Sequence, residues 1–330
     1  MQRDVNLDFI RAIAIYCVIN VHCLDTIDEA YLNEGLSSIG GLITNSLYYL
    51  KNAGVPLFVM ISGALLLGKE VSFQAFFKRR LTRILIPFTV WSVVVYLFSL
   101  FRHHNPIVEL SWQDFFYRFL TNGVIGMYWF VYMIIGLYML TPILQKAFKD
   151  NHNNGESSVR YAAIVLLVVY LFGEILPNMM MFGLFKNGIL VYLVLYIWGY
   201  FIYRYLVYKK KFKKYAVCAF AFTTLALAAN IQLHYCDPVL FQLLWPAFFF
   251  ATLIILDASK FSDRLMSIVS FVSKSSYGIY LCHFLVISGL MRIFAPPTWV
   301  YPLFYPPLTL VICTAFFYLI DKTFLKKYLM

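Results

Sequence analysis

The sequence predicts an all-α protein that crosses a membrane about ten times. Hydrophobic residues make up 62% of its 330 positions and charged residues only 13%, whereas a soluble domain carries about 25% charged residues. Apolar stretches long enough to span a bilayer recur along the whole chain. The first of them contains Arg11 and has no small-residue cleavage site, so we expect a retained helix rather than a signal peptide.

The distribution of basic residues predicts how these spans are oriented. With the N-terminus in the cytoplasm, roughly four-fifths of the Lys and Arg residues fall on the inner side, as the positive-inside rule requires. Both termini are then cytoplasmic, and the net charge of +11 reflects topology and attraction to anionic membrane lipids rather than a nucleic-acid partner. We expect one multi-pass domain over residues 1–330, with no appended soluble domain and spans at about 7–25, 50–68, 81–101, 127–145, 159–177, 187–206, 214–233, 239–257, 277–295 and 299–320.

Two external connections, 26–49 and 102–126, are longer than simple turns. The second contains SWQDFFYRFL, an amphipathic pattern that predicts a helix lying flat at the membrane interface. The internal connection 258–276 has the same character. The sequence leaves the oligomeric state open.

The first span contains two polar residues that are costly in a membrane. Arg11 and His22 are eleven residues apart, which places them on one face and roughly 16 Å apart along the helix axis. Asp8 lies one turn before Arg11 and can pair with it. Taken singly, Arg11 is explained by snorkelling to the interface and His22 by a structural hydrogen bond. Taken together, they are a candidate catalytic pair, since intramembrane charge usually faces a partner or a substrate path.

Two further motifs follow in the second and third spans. In the segment GVPLFVMISGALLLG at 54–68, Ser62 and Gly63 either permit close helix packing or thin the wall for a narrow substrate chain. In KRRLTRILIP, Arg80 and Arg83 lie one turn apart at the cytoplasmic end of a helix. Two guanidinium groups suit a phosphate ligand, although a basic inner helix end is also ordinary. No glycine loop for ATP or NAD accompanies them.

The last motif is SKSSYGIYLCHF at 273–284. Its residues Tyr277, Tyr280 and His283 recur every three positions along one face of the inner half of the ninth span. They serve either helix packing or the lining of a ligand tunnel.

The histidines and cysteines predict no metal site. The pairs His22-Cys23 and Cys282-His283 match no zinc-ligand spacing. Of the six cysteines, only Cys23 and Cys236 fall near the outer surface, and no disulfide is indicated. Glu174, near the outer end of the fifth span, is assigned no role.

In order, the four motifs resemble those of the acyltransferase-3 family of membrane acyltransferases. The family has an Arg and a His with ten residues between them, a Ser-Gly pair after an apolar Phe-rich run, an Arg-x-x-Arg before a proline, and a late Ser-Tyr-Tyr-His pattern. The segments VPLFVMISG, YWFV, LTPILQ and SYGIYLCHF are most similar to the branch that O-acetylates enterobacterial common antigen. The matching residues are Arg11 and His22; Phe58, Ser62 and Gly63; Arg80, Arg83 and Pro87; and Ser275, Tyr277, Tyr280 and His283.

This resemblance implies acyl-CoA, most commonly acetyl-CoA, as donor and an envelope polysaccharide or its lipid-linked precursor as acceptor, in the bacterial inner membrane. His22 then acts as general base on the acceptor hydroxyl, and Arg11 orients the thioester or stabilises charge on its oxygen. A covalent acyl-histidine step stays open. The residues expected to bind the donor are Arg80, Arg83, Ser62, Tyr277, Tyr280 and His283.

Two other classes of function remain open. A secondary transporter or a flippase of a sugar-containing substrate would also need buried charges, although no internal repeat is evident in the chain. A structural membrane subunit would use Arg11 and His22 for packing.

Overall fold

The structure is a computed structural model that describes residues 4–24, 50, 52–68, 73–102, 111–149, 189–206, 210–232, 240–256, 258–294 and 301–330. Within these ranges the regular secondary structure is entirely helical. A 3₁₀ turn at Gly126–Tyr128 and two π-helical turns at Ile202–Leu206 and Leu240–Leu244 adjoin α-helices. The α-helices are α1 Val5–Leu24, α2 Gly54–Leu66, α3 Phe73–Arg102, α4 Trp112–Leu120, α5 Trp129–Lys149, α6 Ile189–Phe201, α7 Lys210–Gln232, α8 Trp245–Ile255, α9 Asp263–Ile293, α10 Tyr301–Ile320 and α11 Lys326–Leu329.

Several of these helices have the length and composition of membrane spans, so the chain is a helical membrane protein. Nine of the ten predicted spans overlap an α-helix. The remaining one, the predicted fifth span 159–177 with Glu174, lies outside the described residues. Cys236 also lies outside them. The number of crossings and the side of each terminus stay predictions. In the described part, five segments are long and apolar enough to cross a membrane: Val5–Cys23, Arg80–Leu100, Gly126–Gln145, Asp263–Ile293 and Leu303–Ile320.

The predicted amphipathic segment 258–276 is helical for most of its length, because α9 begins at Asp263 and continues without a break for 31 residues. Ser262 starts this helix, since its hydroxyl accepts a hydrogen bond from the backbone N–H of Leu265 at 3.4 Å. The first glycine in α9 is Gly278, and no proline interrupts it. The polar first turns therefore continue directly into the apolar part of one helix.

The amphipathic segment in the second long connection forms helix α4. Ser111 caps it by accepting from the N–H of Asp114 at 3.3 Å, and the Asp114 carboxylate pairs with Arg118 at 2.8 Å. Phe115 packs inward, whereas Trp112 and Tyr117 are exposed on the other side. Hydrogen bonds from Tyr96 and Arg118 outweigh partial desolvation and lower the pKa of Asp114. The helix is confirmed, and its position against a membrane stays a prediction.

Helix α1 lies in the centre of the bundle, where it packs against α2, α9 and α10. Its side chains Ile10, Ile15 and Ile19 are completely buried. Because this helix contacts elements from both ends of the chain, it fixes how the first and last thirds of the sequence fit together.

Helices α2 and α6 approach each other through two glycines. A Cβ at Gly63 would lie 1.8 Å from the backbone oxygen of Tyr196, and one at Gly199 would lie 2.2 Å from that of Met60. Only glycine permits this backbone contact, because neither backbone can move aside as a side chain can. Of the two roles that the sequence left open for Gly63, the structure supports close helix packing and not a thinned wall for a substrate chain.

The segment after α10 folds back onto the bundle. The carboxylate of Asp321 accepts hydrogen bonds from Lys274 of α9 at 2.7 Å and pairs with Lys326 of α11 at 2.6 Å. These two ammonium groups lower the pKa of Asp321. The indole N–H of Trp91 in α3 donates to the backbone oxygen of Leu329 at 3.2 Å. These contacts join α11 to α3, α9 and the end of α10.

The glycine crossing gives a testable prediction. Gly63→Ala should lower the free energy of unfolding by about 1–3 kcal/mol, because the new methyl group overlaps a backbone carbonyl. Denaturant titration in detergent micelles measures this change. Gly289→Ala is the matched control, since a Cβ there meets nothing within 4 Å. Wild-type stability in Gly63→Ala would contradict the crossing.

Candidate functional site

The structure brings together two histidines that are far apart in the sequence. The rings of His22 in α1 and His283 in α9 have their centroids 5.1 Å apart, with 34° between their planes. His22 is half-buried near the C-terminal end of α1, whereas His283 has 0% of its surface exposed. The sequence predicts that His283 binds the donor, and in the structure its ring also lies against that of His22, the predicted catalytic base.

Backbone contacts fix the tautomer of His283. Its Nδ1 lies 2.6 Å from the carbonyl oxygen of Tyr280 and 3.2 Å from that of Ile279, both on its own helix. A carbonyl only accepts hydrogen bonds, so Nδ1 carries the proton. Desolvation favours the uncharged ring, which leaves Nε2 with a free lone pair. This buried Nε2 has no hydrogen-bond partner in the described part of the chain.

A second polar contact joins the same two helices nearer their N-terminal ends. The buried carboxylate of Asp8 in α1 accepts a hydrogen bond from the hydroxyl of Ser273 in α9 at 2.7 Å. Arg11 lies 3.5 Å from the same carboxylate oxygen, and 30% of its side chain is exposed. The two contacts show that α1 and α9 run in parallel. They also show that Arg11 is paired with the Asp8 carboxylate at one end of the site, about three turns from His22.

The face of α1 between Arg11 and His22 is closed. Ile15 and Val18, which lie on this face, are 0% and 2% exposed. Packed side chains therefore fill the direct line between the two polar residues. A ligand that follows this line requires these side chains to move.

The tyrosines of α9 hold neighbouring backbone segments. The Tyr277 hydroxyl donates to the carbonyl of Ile84 in α3 at 2.9 Å, and the Tyr280 hydroxyl donates to the carbonyl of Met127 before α5. In the reverse direction, Tyr128 donates to the carbonyl of Leu281 at 2.8 Å. These bonds support the packing role that the sequence left open. The role of Tyr128 was not predicted, because its only sequence signal is one tyrosine in an aromatic run.

The remaining predicted site residues lie on α2 and α3. Ser62 is half-buried in α2. Arg80 is half-buried in α3, within electrostatic range of the Tyr196 hydroxyl, whereas Arg83 is exposed. Tyr277 binds the residue next to Arg83, so the structure places α9 beside the arginine pair.

The sulfur atoms near the histidine pair do not complete a metal site. Cys282 and Cys313 face each other across α9 and α10, with 3.9 Å between their Sγ atoms. No group of three His, Cys, Asp or Glu side chains that could hold a metal ion occurs among the residues the structure describes.

Residues 4–319 match the family model described as an acyltransferase domain, which is that of the acyltransferase-3 family. No curated protein and no solved structure matches the chain. The family match does not separate one branch of the family from another, so the similarity to the branch that modifies enterobacterial common antigen stays a prediction.

The contact between Asp8 and Ser273 can be tested by removing its donor. Ser273→Ala should lower the free energy of unfolding by about 1–3 kcal/mol, because a buried carboxylate loses a hydrogen bond. Denaturant titration in detergent measures the loss. Ser276→Ala is the matched control, since that hydroxyl bonds only to the backbone of its own helix. Equal stability of the two variants would show that Ser273 does not support Asp8.

Proposed function

This chain belongs to the acyltransferase-3 family, and we propose that it transfers an acyl group from cytoplasmic acyl-CoA to a cell-envelope carbohydrate in the bacterial inner membrane. Family membership supports acyl transfer onto a polysaccharide-type acceptor. The proposal adds acetyl as the acyl group and a polysaccharide hydroxyl, or that of its lipid-linked precursor, as the acceptor. The observation that carries the proposal is the half-buried imidazole of His22, which is the kind of group this chemistry needs at its centre.

In the proposed reaction, His22 removes the proton from the acceptor hydroxyl as its oxygen attacks the thioester carbonyl. The new bond joins that oxygen to the acyl carbon. The carbon–sulfur bond breaks, and its electron pair stays on the sulfur of CoA. The imidazolium of His22 then returns the proton to the thiolate. A half-buried position suits this role, because the ring is accessible to substrate and partly shielded from water.

The arginines divide into two proposed roles. Arg11 is paired with Asp8 about three turns from His22, which orients its guanidinium and supports a role in positioning the thioester donor. Arg80 and Arg83 lie one turn apart on α3, which supports binding of the CoA phosphates. Because Ile15 and Val18 close the face of α1, the acyl chain reaches His22 only after a rearrangement or by another side of that helix.

The catalytic roles predict a loss of turnover. His22→Ala should lower transfer from labelled acetyl-CoA by about 10²- to 10⁴-fold, because the general base is gone. Arg11→Ala should lower it by about 10²-fold through lost positioning of the donor. Purified variants in lipid vesicles with envelope polysaccharide as acceptor provide the measurement.

Cys23→Ala is the control for that experiment, since it changes the buried neighbour of His22 without removing a proton carrier. Unfolding midpoints establish that each variant is folded. Near wild-type turnover in both His22→Ala and Arg11→Ala would overturn the mechanism.

Loss of ester-linked acetyl groups from the envelope of cells lacking the gene would identify the acceptor.

Binding of CoA separates the enzyme from a transporter, a flippase and a structural subunit. The full chain should bind CoA at micromolar concentration in a calorimetric titration. The double variant Arg80→Ala and Arg83→Ala should bind CoA about tenfold or more weakly, because the phosphate site loses two guanidinium groups. Arg264→Ala removes one exposed charge at the start of α9 and serves as the control. Substrate movement without any CoA binding would favour a transporter.

A further inference from the structure

Nε2 of His283 is one of the buried side-chain atoms that lack a hydrogen-bond partner among the described residues. It belongs to a completely buried ring, and it has no hydrogen-bond partner. A buried acceptor without a donor costs about 1–3 kcal/mol, so such an atom needs an explanation. Since Nδ1 is fixed by the carbonyl of Tyr280, the direction of the Nε2 lone pair is fixed as well.

The neighbouring ring supplies a donor of the right kind. A nitrogen-to-nitrogen hydrogen bond of about 3 Å between two imidazoles, with the radius of each ring added, gives centroids about 5 Å apart. The ring centroids of His22 and His283 are 5.1 Å apart, which matches this separation. Rotation of the half-buried His22 ring can orient one of its N–H groups toward Nε2 of His283. The His283 ring is held in place by the hydrogen bond at its Nδ1.

We propose that His283 is a positioning residue, whose Nε2 accepts a hydrogen bond from His22 and holds that ring with its second nitrogen toward the substrate. This inference rests on the proposed acyl transfer for its catalytic consequence, although the hydrogen bond itself does not. With 0% of its surface exposed, His283 acts through His22 rather than on the substrate.

The pairing explains a requirement of the reaction. His22 takes a proton from the acceptor hydroxyl on one nitrogen, so its other nitrogen must already carry a proton in the neutral ring. An acceptor at Nε2 of His283 selects that tautomer. When His22 becomes an imidazolium, the same bond becomes charge-assisted and stabilises it. The proton then leaves to the CoA thiolate, and His283 neither gains nor loses a proton.

Amide variants of His283 test the role of each ring nitrogen. His283→Gln places an amide oxygen near the position of Nε2, so kcat should stay within about threefold of wild type. His283→Asn reaches only the position of Nδ1, so kcat should fall by about 10- to 100-fold with little change in KM for the donor. Cys282→Ala controls for disturbed packing of the same turn. Equal losses in the Gln and Asn variants would leave only a packing role and overturn the proposal.

A double substitution tests whether the two histidines act as one unit. Adding His283→Asn to His22→Ala should cause little further loss, because a positioning residue has nothing left to position. Losses that multiply would mean that His283 acts independently of His22, against the proposal.

Nitrogen NMR of the full chain in lipid bilayers gives a readout that needs no catalysis. With ¹⁵N-labelled histidine, His283 should show a protonated Nδ1 and an unprotonated Nε2, and His22→Ala should move the Nε2 signal. The signal is assigned among the six histidines by its loss in His283→Gln. A protonated Nε2 would overturn the pairing. If wild type transfers no acyl group but shows the predicted spectrum, the proposed function fails and the hydrogen bond stands.

Discussion

The parallel pairing of α1 with α9 is the constraint on which the site depends. Two contacts mark it, the hydrogen bond between Asp8 and Ser273 and the ring contact between His22 and His283. In an apolar surrounding a buried carboxylate or imidazole needs partners, because water does not supply them. These contacts therefore fix the register of the two helices as well as their proximity. A shift of one turn would break the hydrogen bond between Asp8 and Ser273 and separate the two imidazole rings.

The rest of the bundle keeps this pair of helices in place by other means. Tyrosine hydroxyls from α9 bond to the backbone near Ile84 and Met127, which attaches α3 and the start of α5. At the glycine crossing, Gly63 brings the backbone of α2 into contact with that of α6 without a side chain between them. The site thus combines hydrogen-bonded contacts around α9 with close packing around α2. This division agrees with the forces that hold helices together in a membrane, which are hydrogen bonds and van der Waals packing rather than the hydrophobic effect.

Much of the fold and part of the site followed from the sequence. Apolar length predicted the positions of nine described helices, and the amphipathic pattern of SWQDFFYRFL predicted α4. The pairing of Arg11 with Asp8 followed from their spacing of one turn. The start of α9 was missed, because its first turns are polar although Ser262 caps a continuous helix. Contacts with Ser273 and Tyr128 were missed because they join residues far apart in the chain.

By itself, the sequence determined the class of protein, the family motifs and the face that Arg11 and His22 share, since composition and helical period act within one segment. Only the tertiary structure decided what each motif residue faces. It placed His283 against His22, and it filled the line between Arg11 and His22 with Ile15 and Val18. The physical reason is that helix periodicity fixes which residues share a face, while the packing of other helices decides what that face meets.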